Sequence, residues 1–431
     1  MNTIVLTPSS TPLQAKLSVP GSKSFTNRAL LMAALATGTS RLTSVSLSKD
    51  SDSLINALKT LGIAIHTPDA TSLIVEGCGG APRQSIGTID VGAAGTTMRF
   101  LTTLCAGIPG ADITLRGSER MHARPIRDLV DALRQAGAQI DYLGSEVCPP
   151  LRIHSQAPLR GGAISIDGTT SSQFISSLLL SAPLFTEGLE ISIRGPQIST
   201  SYIDMTLQGI GDFGLTAAHD AYQTFHVKRG QSYKGREYQI EGDASGASYL
   251  WGLAAVCRGS VTVENINPHS AQGDTKFPDL LAAMGCDITY GARSISVSRS
   301  GPLRAIQADM TSMPDTAQTL AVIAACADGS TTIRGLQTLR IKETDRIAAL
   351  HNELLKVGIA SDVGSDYIVV HGGNPHPARI ATYDDHRMGM SFALLGAKVG
   401  GIEIEEPQVV DKSFPSFWET LSSMGIQVEE K

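Results

Sequence analysis

At 431 residues, with 42% hydrophobic and 18% charged side chains, the chain has a globular composition and too much sequence for a single core. Two domains of about 200 residues each are the prior for this length. Its net charge of −6 argues against a general nucleic-acid binder, because no basic excess is available to neutralise phosphates.

Near its start the chain has a strand-like stretch, Ala15 to Val19, whose partner the repeat pattern leaves open. Pro20 and Gly21 break it, and Ser22 or Ser24 can cap the helix former that follows, Ala29 to Ala36. Lys23 and Arg28 add two cations to the positive dipole end of that helix, which suits a phosphate or carboxylate. An ordinary capped helix with surface charges reads the same way. The segment is not a P-loop, because Ser22 and Leu17 stand where that motif needs glycine before its lysine.

A repeat of about 70 residues then runs through the chain. Amphipathic helices end at Gly62, Gly137, Gly214, Gly285, Gly358 and Gly425, each glycine fitting a helix C′ position before a β-type run. A second helix, apolar nearly all round and therefore buried, precedes each of these. The six buried helices open at Ser22, Ala94, Thr169, Asp243, Pro314 and Asp384. The fold expected is an α/β protein of six repeats, each a buried helix, an outer helix and short strands, divided three and three. The division is expected within the polar stretch Tyr233 to Glu241.

Polar residues gather where the buried helices open. Gly92 to Arg99 opens the second, Gly168 to Gln173 the third, Met313-Pro314-Asp315 the fifth and Tyr383 to Arg387 the sixth; the fourth shows no reactive group. Arg124, the run Lys342-Glu343-Thr344-Asp345-Arg346, and Lys412 lie on connecting segments. Lys342, Glu343 and Arg346 fall within about one turn, a spacing that solvated ion pairs also produce. Asp384-Asp385-His386-Arg387 lacks the second histidine group a metal site needs, so no metal is expected, and His386 reads as a hydrogen-bond donor, a proton carrier or a buried histidine. The six scattered cysteines read as reduced thiols of a cytoplasmic protein. No leader or membrane-spanning run is evident.

Taken in order, Gly21-Ser22-Lys23-Ser24 with Asn27-Arg28, Gly95-Thr96-Thr97-Met98-Arg99, Arg124-Pro125-Ile126, Ser171-Ser172-Gln173-Phe174, Pro314-Asp315, Lys342-Glu343 with Asp345-Arg346, Asp385-His386-Arg387-Met388 and Asp411-Lys412-Ser413-Phe414-Pro415 resemble the 5-enolpyruvylshikimate-3-phosphate synthase family. The resemblance runs from about Pro20 to Pro415. It implies a two-domain inside-out α/β barrel, with residues 21–238 as one domain and 1–20 plus 239–431 as the other. It also implies transfer of the enolpyruvyl group of phosphoenolpyruvate to the 5-hydroxyl of shikimate 3-phosphate. Phosphate is released through a non-covalent tetrahedral intermediate, with no cofactor, metal, nucleic acid or membrane involved and a monomer at work.

By that resemblance, Lys23, Ser24, Arg28, Ser171, Ser172, Gln173, Ser199, Asp315, Thr338 and Lys342 hold shikimate 3-phosphate. Lys23, Gly95, Arg124, Gln173, Arg346, Arg387 and Lys412 hold phosphoenolpyruvate. Lys23, Asp315, Glu343 and His386 are the catalytic candidates. The sequence departs from the family pattern at Phe25, Ala93, Phe100 and Thr338. Gly117 to Ala123 contains no cysteine, unlike the corresponding loop of UDP-N-acetylglucosamine enolpyruvyl transferase.

Overall fold

A computed structural model describes residues 2–431. The chain forms two compact units: Gly21–Ile240, here the N-unit, and the segment up to Pro20 with Glu241–Lys431, here the C-unit. The division falls two residues after the expected 238, because Gln239 pairs with Thr43 and the Ile240 N–H donates to the Thr43 carbonyl.

Each unit holds three repeats. In the N-unit, helix α1 (Lys23–Leu35) is followed by α2 (Lys49–Thr60), α3 (Gly95–Ala106) by α4 (Arg127–Gln135), and α5 (Ser172–Leu180) by α6 (Thr200–Asp212). In the C-unit, α7 (Ala244–Cys257) precedes α8 (Phe277–Ala283), α9 (Ala317–Ala324) precedes α10 (Arg346–Lys356), and α11 (His386–Val399) precedes α12 (Phe417–Ser423). The first helix of every pair is buried almost throughout, while the second buries one face. All six C′ glycines, Gly62, Gly137, Gly214, Gly285, Gly358 and Gly425, have φ between 79° and 100°, which a side chain would strain.

The described strands form six four-stranded sheets, one per repeat. In the second repeat, Ile86–Asp90 runs parallel to Asp112–Arg116, and the hairpin Ile140–Tyr142 and Leu151–His154 completes the sheet antiparallel. Three sheets borrow strands from distant sequence. Glu237–Gln239 lies parallel to Thr37–Thr43 and so closes the N-unit. Gln14–Leu17 lies parallel to Ser260–Val263, and Thr3–Thr7 inserts between Ile402–Glu405 and Gln427–Glu430. The first twenty residues thus supply strands to the fourth and sixth repeats. No described helix is long and apolar enough to cross a membrane.

Close backbone approach fixes glycine at equivalent places in the two units. A Cβ on Gly77 would stand 2.1 Å from the Ala36 carbonyl oxygen, and one on Gly372 would stand 1.9 Å from that of Ala327. Both strands pass the end of a buried helix, where neither backbone can yield. Gly77→Ala and Gly372→Ala are each expected to cost about 3 kcal/mol in urea denaturation. Gly230→Ala, with nothing within 4 Å of its Cβ but a φ of 76°, should cost only about 1 kcal/mol.

Candidate active site

In the N-unit, Ser22 is the residue that caps α1, its hydroxyl accepting the Phe25 N–H at 3.4 Å. Lys23 Nζ lies 3.0 Å from Asp50 Oδ2, in the first turn of α2. Asp50 in turn accepts Thr97 Oγ1 at its carbonyl, 3.5 Å away, which ties α1 and α2 to α3. At the opening of α3, a Cβ on Gly95 would meet Arg124 Nη1 at 2.6 Å, so only glycine lets this guanidinium lie against the helix end. The buried Arg124 Nε has no hydrogen-bond partner. Ser171 caps α5, and Gln173 Nε2 donates to Thr96 Oγ1 at 3.3 Å, joining the second and third repeats. Ser199 precedes α6 in a left-handed conformation, φ 52°.

Arg28 is 2% exposed, inside a cage of uncharged acceptors. Its Nε donates to Thr206 Oγ1 at 2.8 Å and Nη1 to the Ser24 carbonyl at 2.9 Å. Its Nη2 donates to the Tyr202 carbonyl at 2.9 Å and Ser176 Oγ at 3.3 Å. Among the described residues, no carboxylate lies within ion-pair distance. Burial lowers its pKa to about 10, so the guanidinium keeps its charge at neutral pH and that charge is not cancelled.

In the C-unit the opposite solution appears. Arg346, 1% exposed at the start of α10, donates Nε to Asp385 Oδ2 at 2.7 Å, Nη1 to Asp315 Oδ1 at 3.1 Å and Nη2 to Glu343 Oε2 at 2.9 Å. Burial alone would lower its pKa, but Asp385, Glu343 and Asp315 outweigh that and raise it. Further cations meet the same acids: Arg387 Nη2 lies 3.2 Å from Asp315 Oδ2 and Lys412 Nζ 3.2 Å from Glu343 Oε1, on the oxygens Arg346 leaves free, while Lys342 Nζ lies 3.6 Å from Asp315 Oδ1, the oxygen Arg346 also holds. Lys342, Arg346, Arg387 and Lys412 thus surround Asp315, Glu343 and Asp385. His386 is buried, with Nδ1 3.6 Å from Asp385 Oδ1. Among the described residues, no group of three or more His, Cys, Asp or Glu side chains is arranged to hold a metal ion.

The sequence model of EPSP synthase (3-phosphoshikimate 1-carboxyvinyltransferase) matches residues 8–421. The chain is 46% identical over 420 residues to the 3-phosphoshikimate 1-carboxyvinyltransferase of Yersinia ruckeri, covering 96% of this chain and 97% of that one. It is 41% identical over 416 residues to the protein of that name from Methanoculleus marisnigri, covering 96% and 98%. This chain belongs to the EPSP synthase family. The structure of an EPSP synthase from Acinetobacter baumannii superposes with a TM-score of 0.83 at 26% identity, covering 100% of both chains.

Within this EPSP synthase fold, Asp315, Lys342, Glu343, Arg346, Arg387 and Lys412 form one linked group in the C-unit, while the predicted N-unit residues are spread over the openings of its helices. Lys342 and Glu343 stand outside the helix, which starts at Arg346 and is capped by Asp345, whose Oδ1 accepts the Ala348 N–H at 3.1 Å. Their ion pairs are therefore at a helix entrance rather than on a solvated helix face. Thr338 lies half-buried on the 3₁₀ turn before them and makes no hydrogen bond to the cluster among the described residues.

Sequence reasoning did not single out Asp50, and it carried Asp385 in a family motif and weighed it as a metal ligand without giving it a site role. It also passed over Asp274. At the opening of α7, which reads as having no reactive group, the buried Asp274 Oδ2 accepts the Ser245 hydroxyl. No local motif marks this carboxyl, because 29 residues separate it from Ser245. Burial raises its pKa from 3.8 to about 7; the Ser245 bond and Arg387 lower it, while Asp315 and Asp243 raise it.

This shift makes stability fall as pH rises between about 4 and 7, where the unfolded chain has released a proton that folded Asp274 keeps. Below that window the contribution is fully present. Asp274→Asn removes the ionisation, so its urea midpoint relative to the parent chain should rise between pH 5 and 8, by a few kcal/mol in stability. Parallel pH profiles would contradict the assignment.

Proposed function

We propose that this chain transfers the enolpyruvyl group of phosphoenolpyruvate to the 5-hydroxyl of shikimate 3-phosphate and releases phosphate. The observation that carries this reading is the bridge at Arg346, which holds Asp315 on one nitrogen and Glu343 on another while further cations flank both acids. Two carboxylates at fixed spacing among cations suit a reaction that moves protons on and off two anionic substrates.

In this reading shikimate 3-phosphate is held by Lys23, Ser24, Arg28, Ser171, Ser172, Gln173, Ser199, Asp315, Thr338 and Lys342. Phosphoenolpyruvate is held by Lys23, Gly95, Arg124, Gln173, Arg346, Arg387 and Lys412. Arginine's planar fork matches carboxylate and phosphate oxygens, and the Gly95 backbone leaves room beside Arg124.

Asp315 takes the proton of the 5-hydroxyl as that oxygen bonds to C2 of phosphoenolpyruvate. Glu343, with Lys23, supplies a proton to the methylene carbon, which becomes a methyl group in the tetrahedral adduct. Removal of a methyl proton by the same pair then re-forms the double bond as the C2–O bond to phosphate breaks. His386, beside Asp385, serves as a proton carrier. No cofactor is invoked, and one copy of the chain carries every group. The six free cysteines support a cytoplasmic location, and the net charge of −6 supports small anions rather than nucleic acid as partners.

Phosphate release measured with each substrate alone and with both tests the reaction. Release only with the pair is expected, and release from phosphoenolpyruvate alone would contradict it. Glu343→Gln is expected to bind both substrates yet turn over about 10²- to 10⁴-fold more slowly. Undiminished turnover would reject the proton-transfer role.

A further inference from the structure

Arg28 and Arg346 are both buried at the openings of their units' helices, yet only one is held by acids. Three carboxylates fix Arg346, whereas neutral oxygens and one aromatic ring surround Arg28. The Arg28 guanidinium carbon lies over the face of Phe100, 5.7 Å from the ring centroid. Phe100 is itself fully buried, on the second turn of α3.

The face of an aromatic ring carries negative quadrupolar charge and attracts a cation without neutralising it. A carboxylate in the same place would stabilise Arg28 more strongly, but it would compete with an anionic ligand for the same N–H groups. An aliphatic side chain would offer neither effect. The four hydrogen bonds to Ser24, Ser176, Tyr202 and Thr206 fix the guanidinium plane from its edges, and the ring supports it from one face. Burial lowers the pKa of this cation, so any group that favours its charged form helps to offset that penalty.

We propose that Phe100 is a positioning residue for shikimate 3-phosphate, holding Arg28 charged and oriented through the face of its ring. This rests on the reading of Arg28 as a ligand for that substrate. Phe100 acts only through Arg28, so its effect belongs to the KM for shikimate 3-phosphate and not to turnover.

The test replaces Phe100 with mono-, di- and trifluorinated phenylalanine in the full-length chain, which weakens the ring face with little change in shape. The KM for shikimate 3-phosphate should rise stepwise across the series, reaching about 2- to 30-fold, the range of a lost cation–π contact. The kcat and the KM for phosphoenolpyruvate should stay within about 2-fold, and melting temperatures should stay level. Phe100→Leu should match the end of the series, and its melting temperature reports any packing loss separately. A flat KM across the series, or an equal rise in both KM values, overturns the proposal. Arg28→Gln separates the two levels. If it raises the KM for shikimate 3-phosphate while the fluorinated series is flat, the ring's role fails and the reading of Arg28 stands; if it leaves that KM unchanged, both fail.

Discussion

A helix enclosed on all sides sends its unpaired first-turn N–H groups and positive dipole end to one opening, and the polar residues of this chain are arranged around that constraint. The two units meet it differently. At the N-unit openings, Arg28 sits among uncharged partners and the Arg124 Nε has no hydrogen-bond partner, so positive charge there is not cancelled at Arg28. At the C-unit openings, Asp315, Glu343 and Asp385 gather on Arg346, so acids are held ready near cations. One arrangement presents buried positive charge, and the other adds groups that can exchange protons.

These choices are costly in stability terms. Taking a guanidinium out of water is compensated at Arg346 by three carboxylates, and removing one member of such a set exposes the others to an unbalanced interior. Arg28 lacks even that compensation and is held by four hydrogen bonds and a ring face. The surrounding architecture is correspondingly fixed. Buried hydroxyls between packed helices bond to one another, as in Thr103 with Ser177 at 2.6 Å and Thr206 with Ser176 at 2.8 Å. Strands from distant sequence close both units: Glu237–Gln239 in one, Thr3–Thr7 and Gln14–Leu17 in the other. Such pairings hold the helix ends in place at the cost of long-range contacts that form slowly in folding.

The repeat was legible because its punctuation is local. A glycine after an amphipathic run marks a helix end, and all six such glycines take the left-handed conformation expected of them. The buried helices could be read from their lack of a polar face, and the family from motifs spread along the chain. What could not be read was pairing across long separations. Ala15 to Val19 signals a strand but not that its partner is Ser260–Val263. Asp50 looks like an ordinary first-turn acid until Lys23 is seen beside it, and Asp274 becomes visible only through Ser245. Spacing alone left Lys342, Glu343 and Arg346 open to a reading as solvated ion pairs. Burial of Arg346, with Asp315 arriving from the opening of the preceding buried helix and Asp385 from the next repeat, gives the cluster its chemistry.

The most direct test of this account is a crystal structure of the chain with shikimate 3-phosphate bound. The account predicts anionic oxygens of the ligand within hydrogen-bond distance of Arg28 and of the α5 opening at Ser171 and Ser172, with Phe100 still beneath the guanidinium. A ligand bound elsewhere, with Arg28 keeping only its contacts to Ser24, Ser176, Tyr202 and Thr206, would contradict it.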